Sequence, residues 1–394
     1  MDISYQERLA DFSSALKDAK KPFLFHDSDA DGTFSYFQLK NLNSKLQATS
    51  ISKTKDVQLK AFEECVNSDH DVIFFFDTPH IEEELLEHLL GQNSARKMYY
   101  VDHHTNAMLP LVEKYSITYF NPLLHIDPKD SRPSCYWAYL ISQSSKKNLP
   151  LVCIGSVSDF FLLDCLLDLY TLKRGLFDFL INIDDKRKTE LVDFIKTYDF
   201  NDISVQEKRT QLIQMIWYET NLGKIRGLVD FIYKLESEHI ARAVDIIRKI
   251  DFNDLIISID AGQGFLFEDY AAFMKKHKEL MKKAVDKNKT REFVIFEHKG
   301  KTSYNRQLSE ELLYRIPEAK VLWLIFTKMD SEWYSCSFRS RYPYIVNKPI
   351  SDSLIGLNGQ GGGHDQAGGC SVNKQDFDEF KKRFVANIEE QLQH

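Results

Sequence analysis

The sequence of 394 residues lacks several features that would each define a class of protein. It has no apolar run near the roughly 18 residues that cross a bilayer, so we expect no membrane span and no membrane partner. Its 6 cysteines form no C-x-x-C pair, which favours reduced, buried thiols over a zinc site or a disulfide framework. Glycine is scarce at 16 residues, which excludes a collagen-like chain, and a hydrophobic content of 43% excludes a disordered one.

A leader pattern and an excess of positive charge are also lacking. Charged residues occupy the first positions, where a signal peptide needs a basic patch followed by an apolar stretch, and this predicts a cytoplasmic protein. The chain carries 51 Lys and Arg against 58 Asp and Glu, for a net charge of −7. This balance argues against a general basic coat for long nucleic acid and leaves room only for a local basic cleft.

Short apolar runs alternate with helical patterns over the first part of the chain. The runs at 22–26, 72–77, 97–101 and 151–154 predict buried strands, and the stretches 32–45 and 81–90 predict amphipathic helices. Strands that alternate with helices indicate an α/β fold with a mostly parallel sheet covered by helices. Ligands of such sheets bind beyond the carboxyl ends of the strands.

The pattern changes twice along the chain, which predicts three regions. Residues 1–185 form the α/β domain, residues 186–289 form a helical connector with apolar residues three and four apart, and residues 290–394 form a smaller α/β domain. Trp217 and Trp323 lie in apolar runs. For both side chains, packing in the core is a simpler interpretation than stacking on a base.

Three carboxylates and an imidazole crowd the turn after the first predicted strand. His26, Asp27, Asp29 and Asp31 fall within six positions, and the carboxylates repel one another unless a cation neutralises them. Alternate residues at a strand end point to one side, so Asp27 and Asp29 can point together. The alternative is a solvated turn in which Asp31 caps the following helix.

Polar residues also follow the other predicted strands of this region. Asp77 follows the strand at 72–76, although it could equally cap the next helix. The triplet Asp102, His103 and His104 follows the strand at 97–101, and Asp159 closes a segment after the fourth run. Hard oxygen and imidazole ligands at four strand ends favour a metal site over isolated surface residues.

Seven of the 16 glycines lie between Gly356 and Gly369. Consecutive glycines let backbone N–H groups surround an anion without side-chain hindrance, and His364 beside them can donate to a phosphate or a base. A flexible hinge or linker is the alternative interpretation of glycine content alone.

Taken together, these motifs resemble those of the DHH phosphoesterases. The matching residues, in chain order, are Asp27-x-Asp29-x-Asp31-Gly32, Asp77, Asp102-His103-His104, Asp159 and Gly361-Gly362-Gly363-His364, the last resembling the GGGH signature of the DHH-associated C-terminal domain. The first motif begins with Asp27, as in RecJ-like members, where others have His. The role of His26 is therefore left open.

The resemblance implies a role for each matching residue. Two divalent metal ions, Mn²⁺ in preference to Mg²⁺, would be held by Asp27, Asp29, Asp31, Asp77, His103 and Asp159, with Asp77 bridging. Asp102 would orient an imidazole, and His104 would contact the scissile phosphate or protonate the leaving oxygen. Arg339 and Ser340 would bind substrate phosphate together with Gly361, Gly362, Gly363 and His364.

The function implied by the resemblance is hydrolysis of short RNA or DNA oligonucleotides to 5′-mononucleotides, as in nanoRNases. The active-site cleft would lie between the catalytic domain and the smaller C-terminal domain. A RecJ-like exonuclease on single-stranded DNA, or a phosphoesterase for cyclic dinucleotides or 3′-phosphoadenosine 5′-phosphate, is the alternative. A non-enzymatic replication scaffold is disfavoured by the complete set of predicted ligands, and the apolar helices leave a homodimer open.

Overall fold

The computed structural model describes residues 4–51, 63, 66–78, 80–104, 109–130, 132–162, 164–197, 199, 202–328 and 331–393. The chain divides into two compact units, residues 1–266 and residues 267–394. The predicted connector, residues 186–289, is thus shared between the two units. Each unit contains its own five-stranded sheet.

The first unit is built on a parallel sheet, which confirms the predicted α/β class. Its strands are β1 (Pro22–Asp27), β2 (Gln47–Ile51), β3 (Val72–Phe76), β4 (Lys97–Val101) and β5 (Thr118–Phe120). They lie in the order β2-β1-β3-β4-β5, and every pair of neighbours is parallel. The apolar pattern of the sequence does not predict β2 or β5.

Both faces of this sheet are buried, because side chains along each strand alternate between two apolar clusters. Phe25 and Phe75 belong to one cluster with Tyr100, while Leu24 and Phe74 belong to the other. Central parallel strands covered on both sides are expected to be continuous apolar runs, as residues 72–76 are.

The first unit also contains helices, several of which cover the sheet. Those up to residue 180 are α1 (Tyr5–Asp18), α2 (Ala30–Leu42), α3 (Glu83–Gln92), α4 (Leu109–Lys114), α5 (Pro122–His125), α6 (Ser134–Ile141), α7 (Leu149–Ser158), α8 (Asp164–Leu172) and α9 (Arg174–Leu180). The remainder are α10 (Asp185–Thr197), α11 (Gln206–Glu219), α12 (Asn221–Ile232), α13 (Ser237–Lys249) and α14 (Phe252–Ala261). None of the helices in the described ranges is both long and apolar enough to cross a membrane.

The predicted strand at 151–154 is wrong, because these residues lie inside helix α7. The run is part of a longer apolar segment whose side chains are buried almost all round, and such a run does not distinguish a buried helix from a buried strand. Pro150 stands in the first turn, where its fixed φ suits a helix start and its missing N–H is not needed.

The second unit carries a mixed sheet. Its strands are β6 (Phe293–Gly300), β7 (Val321–Lys328), β8 (Trp333–Ser340), β9 (Gly359–His364) and β10 (Ala367–Asn373), and its helices are α15 (Phe267–Asn288), α16 (Asn305–Arg315), α17 (Asn347–Leu354) and α18 (Phe377–Gln393). The order is β6-β7-β8-β10-β9, with β6 and β7 parallel and the other pairs antiparallel. Trp323 is fully buried on β7, as predicted.

The glycine-rich segment forms the hairpin of β9 and β10, so it is neither a hinge nor a linker. Gly363 has a φ of 150°, and a Cβ there would lie 2.3 Å from the carbonyl oxygen of Ala367. Only glycine fits this close approach of two strands.

The cysteines agree with the prediction of reduced, buried thiols. Cys135, Cys153, Cys165, Cys336 and Cys370 are free and buried. Cys65 lies outside the described residues.

Candidate metal centre

Three predicted site residues are aligned at the carboxyl edge of the first sheet. His26 pairs with Phe76, and Phe76 pairs with Val101, so the next residues, Asp27, Asp77 and Asp102, follow in register on neighbouring strands. Because parallel strands end at one edge, residues distant in sequence converge there. The backbone at Asp77 has a φ of 58°, an uncommon conformation that Asp tolerates better than most residues.

The turn after β1 differs from the sequence-based interpretation. Helix α2 begins at Ala30, and its N-cap is Asp29, whose Oδ1 accepts a hydrogen bond from the Gly32 amide at 3.1 Å. The alternative interpretation, in which Asp31 caps this helix from a solvated turn, is wrong, since Asp31 lies in the first helical turn and is buried. Gly32 also lies inside the helix, where a Cβ would be 2.6 Å from the carbonyl oxygen of Asp27.

Asp31 instead contacts the start of helix α6. Its two carboxylate oxygens accept hydrogen bonds from the backbone amides of Ser134 and Cys135, each at 2.8 Å. The helix dipole and the free amides at a helix N-terminus favour such a negative group. The Ser134 hydroxyl lies 3.5 Å from Oδ1 of Asp77, a contact that sequence analysis missed.

Asp159 reaches the cluster from a helix end. It is the C-cap of α7, so the premise that it follows a strand is wrong, although its side chain does join the site. Its Oδ2 lies 3.6 Å from Nε2 of His103, which in turn lies 3.2 Å from Oδ1 of Asp77 and 3.9 Å from Oδ2 of Asp31. His103 is thus surrounded by three carboxylates.

The potential ligand atoms fall into overlapping groups, within each of which they lie no more than 4.8 Å apart. One group contains Asp27, Asp29 and Asp77, and a second contains Asp31, His103 and Asp159. A third contains Asp77, His103 and His104. All six residues predicted to bind metal are therefore brought together, and Asp77 shares one group with Asp27 and another with His103.

The electrostatics of the cluster follow from crowded negative charge in a buried place. Burial raises the pKa of Asp31 to about 7, and the charge of Asp159 acts in the same direction. Burial raises the pKa of Asp77 well above its ordinary value, with further contributions from Asp31 and Asp29. Burial alone would lower the pKa of His103, but the surrounding carboxylates outweigh it and raise that pKa well above its usual value.

Asp102 and His104 form a separate pair beside the cluster. Nδ1 of His104 lies 2.8 Å from Oδ1 of Asp102, which is fully buried, whereas His104 is 30% exposed. Burial opposes ionisation of Asp102, but the hydrogen bond with His104 and the charge of that ring lower its pKa. The Asn121 side chain donates to the carbonyl oxygen of His104 and helps to fix the loop.

His26 does not point into the cluster. Its ring is buried, lies parallel to that of Tyr36 with centroids 5.8 Å apart, and has Nδ1 2.8 Å from the carbonyl oxygen of Asp27. Burial lowers the pKa of His26 to about 4, so the ring is neutral at physiological pH. It packs behind the strand end that carries Asp27.

The residues predicted to bind substrate lie on the second sheet. Arg339 on β8 pairs in register with Ala367 on β10, which pairs with His364 on β9, so one row crosses three strands. Nη2 of Arg339 lies 3.7 Å from Oε1 of Glu310, and its Nη1 donates to the carbonyl oxygen of Phe338. The hydroxyl of Ser340 donates to the carbonyl oxygen of Tyr344.

The glycines of this region differ in what surrounds them. A Cβ at Gly361 would lie 2.4 Å from Cβ of Cys370, so packing alone requires glycine there. A Cβ at Gly362 would meet only Oδ1 of Asn347, at 3.9 Å, so packing does not explain this glycine. The side chain of His364 lies outside the described residues.

Comparison with known proteins rests on structure, since neither a known family model nor a curated protein matches the sequence. RecJ from Thermus thermophilus, solved with Mn²⁺, matches with a TM-score of 0.63 and 14% identity over 98% of this chain. The match covers 54% of that RecJ, so this chain spans about half its length.

Two shorter proteins match along most of their own length. The DHH domain of a protein assigned to a family of ribosomal proteins has a TM-score of 0.58 and 14% identity, over 96% of this chain and 88% of that one. A pGpG-specific phosphodiesterase, PggH from Vibrio cholerae, has a TM-score of 0.50 and 12% identity, over 94% and 99%. The chain therefore has the fold of the DHH phosphoesterases.

Proposed function

We propose that this chain is a metal-dependent phosphodiesterase that removes 5′-mononucleotides from short oligonucleotides. The observation that carries the proposal is the convergence of five carboxylates and His103 on one sheet edge, with Asp77 common to two groups of potential ligands. A carboxylate that belongs to two groups of ligands can serve two neighbouring divalent cations of the kind used in two-metal hydrolysis.

The chemistry of the donor set fits two divalent cations. Buried carboxylates with raised pKa values repel one another, and cations would remove that repulsion. Asp27, Asp29 and Asp77 would hold one cation, and Asp31, Asp77, His103 and Asp159 would hold the other. Oxygen-rich sites suit Mn²⁺ and Mg²⁺, and the single imidazole favours Mn²⁺.

When bound, the cations would supply a nucleophilic hydroxide at neutral pH and neutralise charge on the phosphate. The protein's own residues would then position the substrate and move protons. His104, exposed on one side and held by Asp102 on the other, is suited to protonate the leaving oxygen. The amides of Ser134 and Cys135 keep Asp31 in a fixed orientation.

We assign substrate binding in the second unit to Arg339, Ser340, Gly361, Gly362, Gly363 and His364. One support is Gly362, because packing around this position does not require a glycine. Another is the row of paired residues that runs from Arg339 to His364 across three strands. Arg339 would provide the charge for a phosphate, and the contact with Glu310 would hold it in place. The hydroxyl of Ser340 already donates its hydrogen to the carbonyl oxygen of Tyr344. It would therefore contribute to substrate binding as a hydrogen-bond acceptor.

Hydrolysis of defined substrates tests the proposal. Purified protein with Mn²⁺ or Mg²⁺ is incubated with 5′-labelled dinucleotides, trinucleotides and long single strands, each as RNA and as DNA. Release of 5′-mononucleotide, faster from the short substrates, is the expected result. No release from any of them, while calorimetry shows that Mn²⁺ binds, would overturn it.

Two alternative functions also have specific support. Exonuclease action on long single-stranded DNA is favoured by the likeness to RecJ over 98% of this chain, and it would appear as faster cleavage of the long DNA. A dinucleotide-specific activity is favoured by the likeness to the pGpG-specific phosphodiesterase. It would appear as cleavage of dinucleotides without cleavage of trinucleotides or longer strands. Cyclic dinucleotides and 3′-phosphoadenosine 5′-phosphate belong in the same panel.

A further inference from the structure

We propose that Phe160 is a stacking surface for a nucleobase of the substrate, an inference that rests on the proposed function. Phe160 directly follows Asp159, a potential ligand of the metal centre. It is 38% exposed, although its side chain is large and apolar. It would act as a positioning residue that holds the base while the neighbouring phosphate lies at the cations.

The backbone at Phe160 is one that aromatic residues rarely adopt. Helix α7 ends in a Schellman motif, in which the Phe160 amide donates to the carbonyl of Val157 and the Phe161 amide donates to that of Ser156. The residue between these bonds takes a left-handed conformation, and Phe160 has a φ of 64°. Glycine is the usual residue at this position, and a bulky side chain is unfavourable there.

Burial does not offset this strain at Phe160 as it does elsewhere in the chain. Leu266 also has a positive φ, 76°, but its side chain is fully buried in the core. Phe160, by contrast, remains an exposed residue. A strained and exposed aromatic residue next to a cluster of potential ligands indicates a requirement for the ring itself.

The ring of Phe160 is held firmly from one side. Trp217 packs against it edge to face, with ring centroids 4.3 Å apart, and its indole N–H donates to the carbonyl of Val157 at 2.8 Å. The guanidinium of Arg226 lies 3.7 Å from the Trp217 ring centroid and pairs with Asp230 at 3.2 Å. A platform fixed in this way loses little conformational entropy when a ligand stacks on it.

Asp159, which directly precedes Phe160 in the chain, is more exposed than three other potential ligands of the metal centre. Asp31 and Asp77 are 2% exposed at the side chain and His103 is 9% exposed, whereas Asp159 is 36% exposed. A substrate that approached the cluster at Asp159 would bring the nucleoside beside the scissile phosphate to the adjacent residue, Phe160. Every base has a flat π-face, so this contact would tolerate any base.

The test compares Phe160→Leu, Phe160→Tyr and the wild type. Leucine keeps an apolar contact with Trp217 and occurs at positive φ in this chain, but it has no π-face. The substrates, assayed with Mn²⁺, are a dinucleotide and two analogues of it. Each analogue lacks the base of one of the two nucleotides. We expect Phe160→Leu to raise KM for the intact dinucleotide about 5- to 100-fold with little change in kcat, and Phe160→Tyr to preserve both.

On one of the two abasic analogues, Phe160→Leu should equal the wild type, because the base that stacks is missing. An equal loss on the intact dinucleotide and both analogues would indicate a merely structural role and overturn the inference. Gln143→Leu is the matched backbone control. Gln143 occupies the same left-handed position after helix α6, with a φ of 62° and the same two hydrogen bonds, so its replacement by leucine should change stability but not KM.

A binding experiment separates this inference from the proposed function. Calorimetry of Mn²⁺-loaded protein with a nucleoside monophosphate, and with ribose 5-phosphate, requires no turnover. If Phe160→Leu weakens binding of the nucleoside monophosphate but not of ribose 5-phosphate, the stacking role is supported even when no substrate is cleaved. If hydrolysis occurs but Phe160→Leu binds the nucleotide as the wild type does, the function stands and the stacking role falls.

Discussion

Nδ1 of His104 lies 2.8 Å from Oδ1 of Asp102, and this carboxylate is fully buried beneath the exposed ring. A buried acid that holds an imidazole fixes both its orientation and the nitrogen that carries the proton. His104 shares a group of potential ligands with Asp77 and His103, so the proposed proton donor would lie at the edge of the candidate metal centre.

Asp102→Asn should therefore lower kcat about 10- to 100-fold without removing the metals. The amide can bond to the ring but does not stabilise its charged form. Activity assays and Mn²⁺ calorimetry measure the two effects separately. In a double-mutant cycle, Asp102→Asn should add almost nothing to the loss caused by His104→Ala; additive losses would show that the residues act independently.

Asp77→Asn should abolish hydrolysis, because Asp77 belongs to two of the three groups of potential ligands. The fold should survive, since asparagine tolerates the left-handed backbone that Asp77 adopts. Without metal, the variant should resist urea better than the wild type at neutral pH. The folded-state pKa of Asp77 is raised, so the unfolded carboxyl ionises first and the wild type loses stability as pH rises through this interval.

The advantage of Asp77→Asn in urea should shrink toward acid pH, where the carboxyl is protonated in both states. Unfolding curves in a chelator across pH measure it. An unchanged hydrolysis rate in Asp77→Asn would remove this residue from the proposed mechanism and favour a non-catalytic role for the site.

Metal binding should release protons, because the pKa of Asp31 in the metal-free protein is about 7. A cation must displace that proton below the pKa, so apparent affinity should rise, and the number of protons released should fall, as the pH increases through about 7. Calorimetry in two buffers of different ionisation enthalpy measures the release. An affinity that is flat over this range would contradict the assigned role of Asp31.

Gly361→Ala and Gly362→Ala should separate packing from substrate binding. The Cβ at position 361 collides with Cys370, so Gly361→Ala should lose about 1–3 kcal/mol of stability. The Cβ at position 362 has room, so Gly362→Ala should stay within about 0.5 kcal/mol of the wild type. If the hairpin binds substrate, Gly362→Ala should nevertheless raise KM; an unchanged KM would argue against that contact.

Periodicity in the sequence predicted the parallel class of the first sheet, but it misassigned residues 151–154. A short apolar run has the same pattern in a buried strand and a buried helix, and only packing distinguishes them. Asp159 was selected for its place after this supposed strand and again by the resemblance of ordered motifs, which does not depend on the local secondary structure. Its contact with His103 comes from a helix end instead of a strand end.

The sequence by itself determined which residues are candidates for the functional site. The acidic turn, the triplet at residues 102–104 and the glycine cluster are all visible in order along the chain. The tertiary structure decided which atoms meet. Ser134 and Cys135 bind Asp31 from more than a hundred positions away, and Trp217 reaches Phe160 from another helix. Such contacts depend on how buried helices pack over a shared sheet, and that packing is a property of the whole folded unit and not of any local sequence pattern.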